Sequence, residues 1–266
     1  LCKAYRQPLA AYIDVEGCWD APWAKIHGID LDKLLLSIPE YAEQSLDIAD
    51  GLVRSGDVDI IVLDSIAFLT PSLEIENSIE KPTMGTQPRL VGSGMRKLVS
   101  GLNAVGNEKG HGHRPTIFMT NQIRMKLGVM FGNPETTPGG MAPGFAASTE
   151  TKFWAGKYEI DESTGKPIHV TLNFKIEKNK TSAAKVEGEY KMVLADTETK
   201  KVGQVLEEDK MAEMAEKAGL IEKVSGDWIA IGEKFSAKSH IERKLAVDPA
   251  FKSRFGRALV NVLLAS

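Results

Sequence analysis

Apolar positions early in the chain gather into four short runs: LAAYID (9–14), LLLS (34–37), DIIVLDS (59–65) and TIFMTNQ (116–122). Segments with helical spacing, such as YAEQSLDIADGLVRSG (41–56), lie between them. Strands alternating with helices predict a parallel, doubly wound sheet. Ile60 to Leu63 are apolar without a break, which predicts cover on both faces of that strand. The runs end in polar residues, among them Asp14, Asp64 and Asn121. In such a sheet these ends share one edge, the edge where ligands bind.

Past Gly140 the period changes to two. Leu172, Phe174 and Ile176 fall on one face, and Thr171, Asn173, Lys175 and Glu177 on the other, which predicts antiparallel strands extending the sheet. The turn DESTGKP (161–167) holds a Gly-Lys pair but is no phosphate loop: no glycine stands five residues before Gly165, and Pro167 replaces the required hydroxyl residue. From about Val202 the pattern is helical and mixed in charge, as in EEDKMAEMAEKAGLIEK (207–223), with a strand signal from Asp227 to Ile231 and helices to Ser266. The division expected is a core over 1–201 and a small C-terminal domain over 202–266.

Composition bounds this picture more than it changes it. With 266 residues, 42% apolar and 26% charged, the chain is ordinary globular material. No run approaches the roughly 18 apolar residues of a membrane span, and LCKAYRQPLAAYID (1–14) lacks the layout of a signal peptide. A cytoplasmic protein without a membrane partner is expected. Cys2 and Cys18 are too few for a disulfide framework or a metal cluster.

Charge does change it. Between Lys81 and Lys126 stand eight cations (Lys81, Arg89, Arg96, Lys97, Lys109, Arg114, Arg124, Lys126) against Glu108 alone, so this segment is +7 within a chain of net -3. The block leads into NQIRMKLGVMFGNPETTPGG (121–140), where Leu127, Val129, Met130 and Phe131 lie among glycines and prolines that deny them regular structure. A cationic block beside a greasy, glycine-rich loop suits a phosphate backbone with stacked bases; a solvated surface is the plainer alternative.

The strand ends carry candidate chemistry. IIVLDS (60–65) has the form of a Walker B strand, placing Asp64 where it can hold a water on Mg²⁺, with Ser65 beside it. Glu16, two residues past Asp14, is either a base that orients water or a helix-entry acid. Gln122 is either a γ-phosphate sensor or a strand cap. Trp23, seen alone, reads as core packing, and Lys178 and Lys180 as a solvated strand end.

These features together resemble the RecA family of DNA recombinases, bacterial or phage-borne. The loop NQIRMKLGVMFGNPETTPGG matches that family's second DNA-binding loop, and DSIAFLTPSLEIE (64–76), MGTQPRLVGSGMRKL (84–98) and EKNK (177–180) match in order and spacing. The resemblance implies a RecA-type α/β ATPase core and a protein that uses ATP and Mg²⁺. It implies a head-to-tail filament on single-stranded DNA that pairs it with duplex, in recombination, repair and the SOS response. It makes Glu16 the base for water, Asp64 the Mg²⁺-associated acid and Gln122 the switch towards the loop. Trp23 is implied to stack on adenine with Asp20 near the base edge, and Lys178 and Lys180 to reach a neighbouring protomer's phosphates. For DNA it implies Met84, Arg89 and Arg96 in and after the first loop, and Arg124, Met125, Lys126, Leu127, Gly139 and Gly140 in the second.

The chain also departs from the family pattern. Gly144 and Glu150 stand where a lysine and then an arginine are usual, near the protomer interface. The glycine-rich phosphate loop G-x-x-x-x-G-K-T is expected upstream of Leu1, so the chain reads as a fragment or a truncated gene product and, by itself, as a poor ATPase. A hexameric helicase of the same superfamily and a non-catalytic DNA-binding or regulatory module are the alternatives.

Overall fold

The computed structural model describes residues 9–77, 85–107, 113–126, 128, 132, 134–182, 184–196 and 200–265. The chain divides into two compact units, 1–148 and 149–266. The first contains, in order, β1 (Ala10–Asp14), α1 (Ala21–Ile26), β2 (Leu34–Ser37), α2 (Ala42–Ser55), β3 (Ile60–Asp64), α3 (Ser72–Glu76), α4 (Thr86–Asn107), β4 (Thr116–Met119), β5 (Arg124–Met125), β6 (Glu135–Thr136) and α5 (Ala142–Ala146). The four apolar runs become a parallel sheet in the order β2-β1-β3-β4. This is the parallel α/β core that the alternation of runs predicts.

Parallel register decides what each face receives. Ala11, Ile61 and Ile117 lie side by side, as do Ile13, Leu63 and Met119. Helix α2 presents Ala42, Leu46, Ala49 and Val53 to this face, a 4-3-4 spacing, and α4 adds Val91, Met95 and Leu98. The opposite face is less covered than the unbroken apolarity of Ile60 to Leu63 predicts. There Leu36 is 42% exposed, Ile60 41% and Phe118 55%. Apolar continuity tells that two faces can be buried, but the covering layer must come from other elements, and on this side the described helices leave it open.

Helices α2 and α4 approach closely because Gly94 has no Cβ; one built there meets Leu46 Cδ1 at 2.7 Å. Asp50, buried on α2, accepts from Arg54 Nε at 2.9 Å and faces Lys97 Nζ of α4 at 3.7 Å. Gly56 takes the left-handed conformation (φ 69°) that closes α2.

The second unit carries β7 (Thr149–Ile160), β8 (Pro167–Asn179), β9 (Glu187–Val193) and β10 (Val205–Leu206). Where an extension of the parallel sheet is expected, the described residues form an antiparallel sheet in the order β10-β9-β8-β7. Gly188 lies opposite Phe174, and a Cβ there falls 2.5 Å from the Phe174 ring, so the glycine makes room for the aromatic. The DESTGKP segment is the β7–β8 turn, held by Asp161 Oδ1, which accepts from Ser163 N at 2.7 Å and Thr164 N at 3.2 Å.

Helix α6 (Glu208–Lys217), the meander β11 (Ile221–Val224), β12 (Asp227–Ala230) and β13 (Glu233–Phe235), and helices α7 (Lys238–Val247) and α8 (Pro249–Ala265) follow. They enclose a core around Phe251 and Phe255, with Ala212, Ala215, Ile221, Ile241 and Leu245. Only β12 has a clear strand signal in the sequence. Among the described residues no helix is long and apolar enough to cross a membrane.

Two glycines on facing helices give a paired stability prediction. Gly94→Ala, which drives a methyl into Leu46, is expected to lose about 1–3 kcal/mol. Gly51→Ala on α2, where a Cβ meets nothing within 4 Å, is expected to gain about 0.5–1 kcal/mol. Urea denaturation of both variants checks the opposite signs.

Candidate nucleotide site and nucleic-acid loops

Asp14 and Asp64 end adjacent strands in register, so their side chains emerge together at one sheet edge. Asp14 is 1% exposed. Its Oδ1 accepts from Gly17 N at 2.8 Å and Cys18 N at 3.2 Å, and its Oδ2 from Trp19 N at 2.8 Å. The acid thereby folds the chain after β1 into a tight loop, in which Gly17 supplies the positive φ of 69°. Val15 N donates to Asp64 O at 2.7 Å, so the loop is tied to β3 as well.

Glu16 rides on this loop. Its Oε1 accepts from Ser65 Oγ at 2.5 Å, which brings three of the expected site residues, Glu16, Asp64 and Ser65, into one cluster. Ser65 is buried, and the Asp64–Ser65 peptide is cis. Asp64 accepts from Tyr12 Oη at Oδ2 and from Thr120 Oγ1 at Oδ1, both at 2.5 Å. Burial first, then the hydrogen bond to Asp64 and the charges of Asp64, Asp14 and Glu16, raise the Tyr12 phenol well above its ordinary value. Neither Tyr12 nor Thr120 is a candidate in the sequence, where each is one hydroxyl residue within an apolar run.

Among the described residues no lysine or arginine pairs with Asp14, Glu16 or Asp64. Nor do the described residues hold a cluster of three or more ligands able to cage a metal. A carboxylate that, among the described residues, is met by hydroxyls and by no cation suits a hydrated Mg²⁺ that arrives with phosphates and keeps most of its waters. Asp64 would hold such an ion through water, and the ion would supply charge neutralisation on the phosphate oxygens.

Asp20 N-caps α1, its Oδ1 accepting from Trp23 N at 2.9 Å. Trp23 is 42% exposed, with its ring 5.1 Å from His27, so the core-packing alternative fails. Gln122 lies just past β4, and its Oε1 accepts from Arg124 Nη2 at 3.2 Å. That contact links Gln122 to the loop behind it rather than capping the strand.

The loop itself is more regular at its base than its glycines and prolines imply. Arg124 and Met125 of β5 pair with Thr136 and Glu135 of β6, and Lys126 N donates to Pro134 O at 2.8 Å. The breakers from Gly128 to Pro134 fall inside the ribbon's span and those from Pro138 to Gly140 lie past it, so two residues on each side remain free to pair. Met125 is 62% exposed, and Arg124 and Lys126 are exposed too. Leu127 and Met84 lie outside the described residues. Arg89 and Arg96 are exposed on α4, seven residues or two turns apart.

Gly139 has a packing role absent from the sequence reading. It is buried at φ 84°, and a Cβ there meets Ile66 Cγ2 at 2.8 Å and Val91 Cγ1 at 3.2 Å. Gly140 is the exposed member of the pair, at φ 73°. Asn121 Nδ2 donates to Pro138 O at 3.0 Å and closes the loop's base. Gln87, also unmarked in the sequence, donates from Nε2 to Leu69 O at 3.0 Å and to Ala67 O at 3.3 Å. In the second unit, Lys178 is half-buried opposite Glu150 in the β7–β8 register, and Lys180 is exposed just past β8.

A four-stranded parallel sheet flanked by helices is consistent with a RecA-type core. The RecA N-terminal domain family matches residues 2–197. Protein RecA of Francisella tularensis subsp. novicida (strain U112) is 37% identical over 260 residues, covering 96% of this chain and 67% of the relative. Protein RecA of subspecies tularensis (strain WY96-3418) and holarctica (strain LVS) match to the same extent. The chain belongs to the RecA family. The homology supports a recombination and repair protein that binds DNA and ATP, in a family of DNA-dependent ATPases that use Mg²⁺.

The role of Asp14 is open to a direct check. Asp14→Ala leaves three backbone N–H groups without their charged acceptor and is expected to cost about 1.5–3 kcal/mol in urea denaturation.

Proposed function

We propose that this chain is the core of an ATP-dependent recombinase that assembles head to tail on single-stranded DNA and pairs it with duplex. The carrying observation is the cluster at the ends of β1 and β3, in which Ser65 holds the carboxylate of Glu16 beside Asp64. Glu16 orients the attacking water and accepts its proton. Asp64 would hold an Mg²⁺ through water, and Trp23 and Asp20 would receive the adenine. Gln122, through Arg124, passes the nucleotide state to the loop.

Arg89, Arg96, Arg124, Lys126 and the backbone of Gly139 and Gly140 meet phosphates, while Met125 and Leu127 lie against bases; Met84 belongs to the DNA contacts of the first loop. Such contacts carry no sequence information, so base pairing supplies the specificity. Lys178 and Lys180 serve the neighbouring protomer's nucleotide, and heterologous contacts of that kind generate an open filament. A small domain beginning near Val202 is supported by the separate core around Phe251. The reading places the protein in the cytoplasm and in the SOS response.

In the complete protein, Glu16→Gln is expected to slow DNA-dependent ATP hydrolysis about 100-fold or more while ATP and DNA binding persist. Wild-type turnover in that variant removes Glu16 from the mechanism. The loop is tested by fluorescence anisotropy on an unstructured oligonucleotide across a salt series. Arg124→Ala is expected to lower the magnitude of the log–log salt slope by about 0.7. Met125→Ala is expected to weaken binding by about 1–3 kcal/mol with the slope unchanged. An Arg124→Ala slope equal to wild type places the DNA elsewhere.

A further inference from the structure

We infer that Tyr12 and Thr120 are positioning residues for Asp64, gripping its carboxylate from the two neighbouring strands so that it presents one fixed edge to the Mg²⁺ of a bound nucleotide. The inference rests on the nucleotide-site reading above and deepens it. It starts from the sheet order, in which β3 lies between β1 and β4. Asp64 ends the central strand, so either neighbour can reach it.

From β1 comes Tyr12. It is paired with Val62, and Asp14 with Asp64, so Tyr12 lies one pleat back on the same face as Asp64, diagonal to it. That diagonal is about 7–8 Å between backbones, a span suited to a long aromatic side chain. The Trp19 ring packs on Tyr12 at 4.8 Å between centroids, and Trp19 is itself anchored through its N–H to Asp14. The phenol is thus aimed at Oδ2 by a ring contact that depends on the Asp14 loop.

From β4 comes Thr120. Met119 pairs with Leu63, and Thr120 N donates to Leu63 O at 3.1 Å, which continues the ladder by one residue. This brings the Thr120 hydroxyl to Oδ1. A short threonine suffices on the adjacent register position, whereas the diagonal requires tyrosine.

The two donors use one lone pair on each oxygen and fix the plane of the carboxylate, leaving the outer lone pairs for water on the metal. Both bonds are charge-assisted. A free aspartate at a strand end rotates about its terminal torsion, which is broad; the bonds from Tyr12 and Thr120 restrict that rotation.

The test uses the complete protein with Mn²⁺ and a non-hydrolysable ATP analogue, reading free Mn²⁺ by electron paramagnetic resonance, so that turnover plays no part. Tyr12→Phe and Thr120→Val are each expected to weaken Mn²⁺ binding about tenfold with the analogue's own affinity in the absence of metal unchanged. Thr120→Ser, which keeps the hydroxyl, is expected to restore it. In an Asp64→Ala background neither substitution is expected to add a further loss. Undiminished Mn²⁺ affinity in both variants overturns the inference while leaving the nucleotide site standing. So does an equal loss in the Asp64→Ala background, which marks a general effect on the fold. Wild-type protein that binds no Mn²⁺ with the analogue overturns the nucleotide-site reading and this inference with it.

Discussion

The parallel pairing of β1 with β3, Asp14 against Asp64, is the constraint from which the rest of the site follows. A one-residue slip exchanges the two faces of a strand, and here it would turn Asp14 away from the loop it folds and Tyr12 away from Asp64. Register is secured by what lies on the other face. Ala11, Ile13, Ile61 and Leu63 are buried against α2 and α4, so a slip would expose the core. Apolar packing on one side of the sheet thus sets the geometry of charged groups at its end.

Charge is segregated around that end. Asp14, Glu16 and Asp64 are met by hydroxyls and backbone N–H groups, while Arg89, Arg96, Arg124 and Lys126 are exposed on α4 and the ribbon. A net charge of -3 hides this arrangement. Among the described residues the two kinds of charge are thus kept apart rather than paired with each other.

The four strands were legible because each is an apolar run closed by a polar residue, and the strand-end acids were legible with them. The open face was not, since Ile60 and Phe118 look the same in sequence whether or not a second layer covers them. Trp23 was misread as core packing because α1 is only six residues long and has no periodic face to read. The β5–β6 ribbon fell below the length at which alternation can be seen. Tyr12, Thr120 and Gln87 act across strands or between elements, and a contact 52 or 56 residues away in the chain leaves no local mark. What stayed hidden was tertiary: which hydroxyl meets which acid, and where the alternating strands after Gly140 pair.

The turn after Asp64–Ser65 has two visitors. Gln87, at the start of the helix that follows the first loop, holds the carbonyls of Ala67 and Leu69, and Gly139, at the end of the second loop, is wedged against Ile66 and Val91. The few residues after the acid are thus held by contacts from two segments distant in sequence, so a substitution at Gln87 or at Gly139 disturbs one and the same turn.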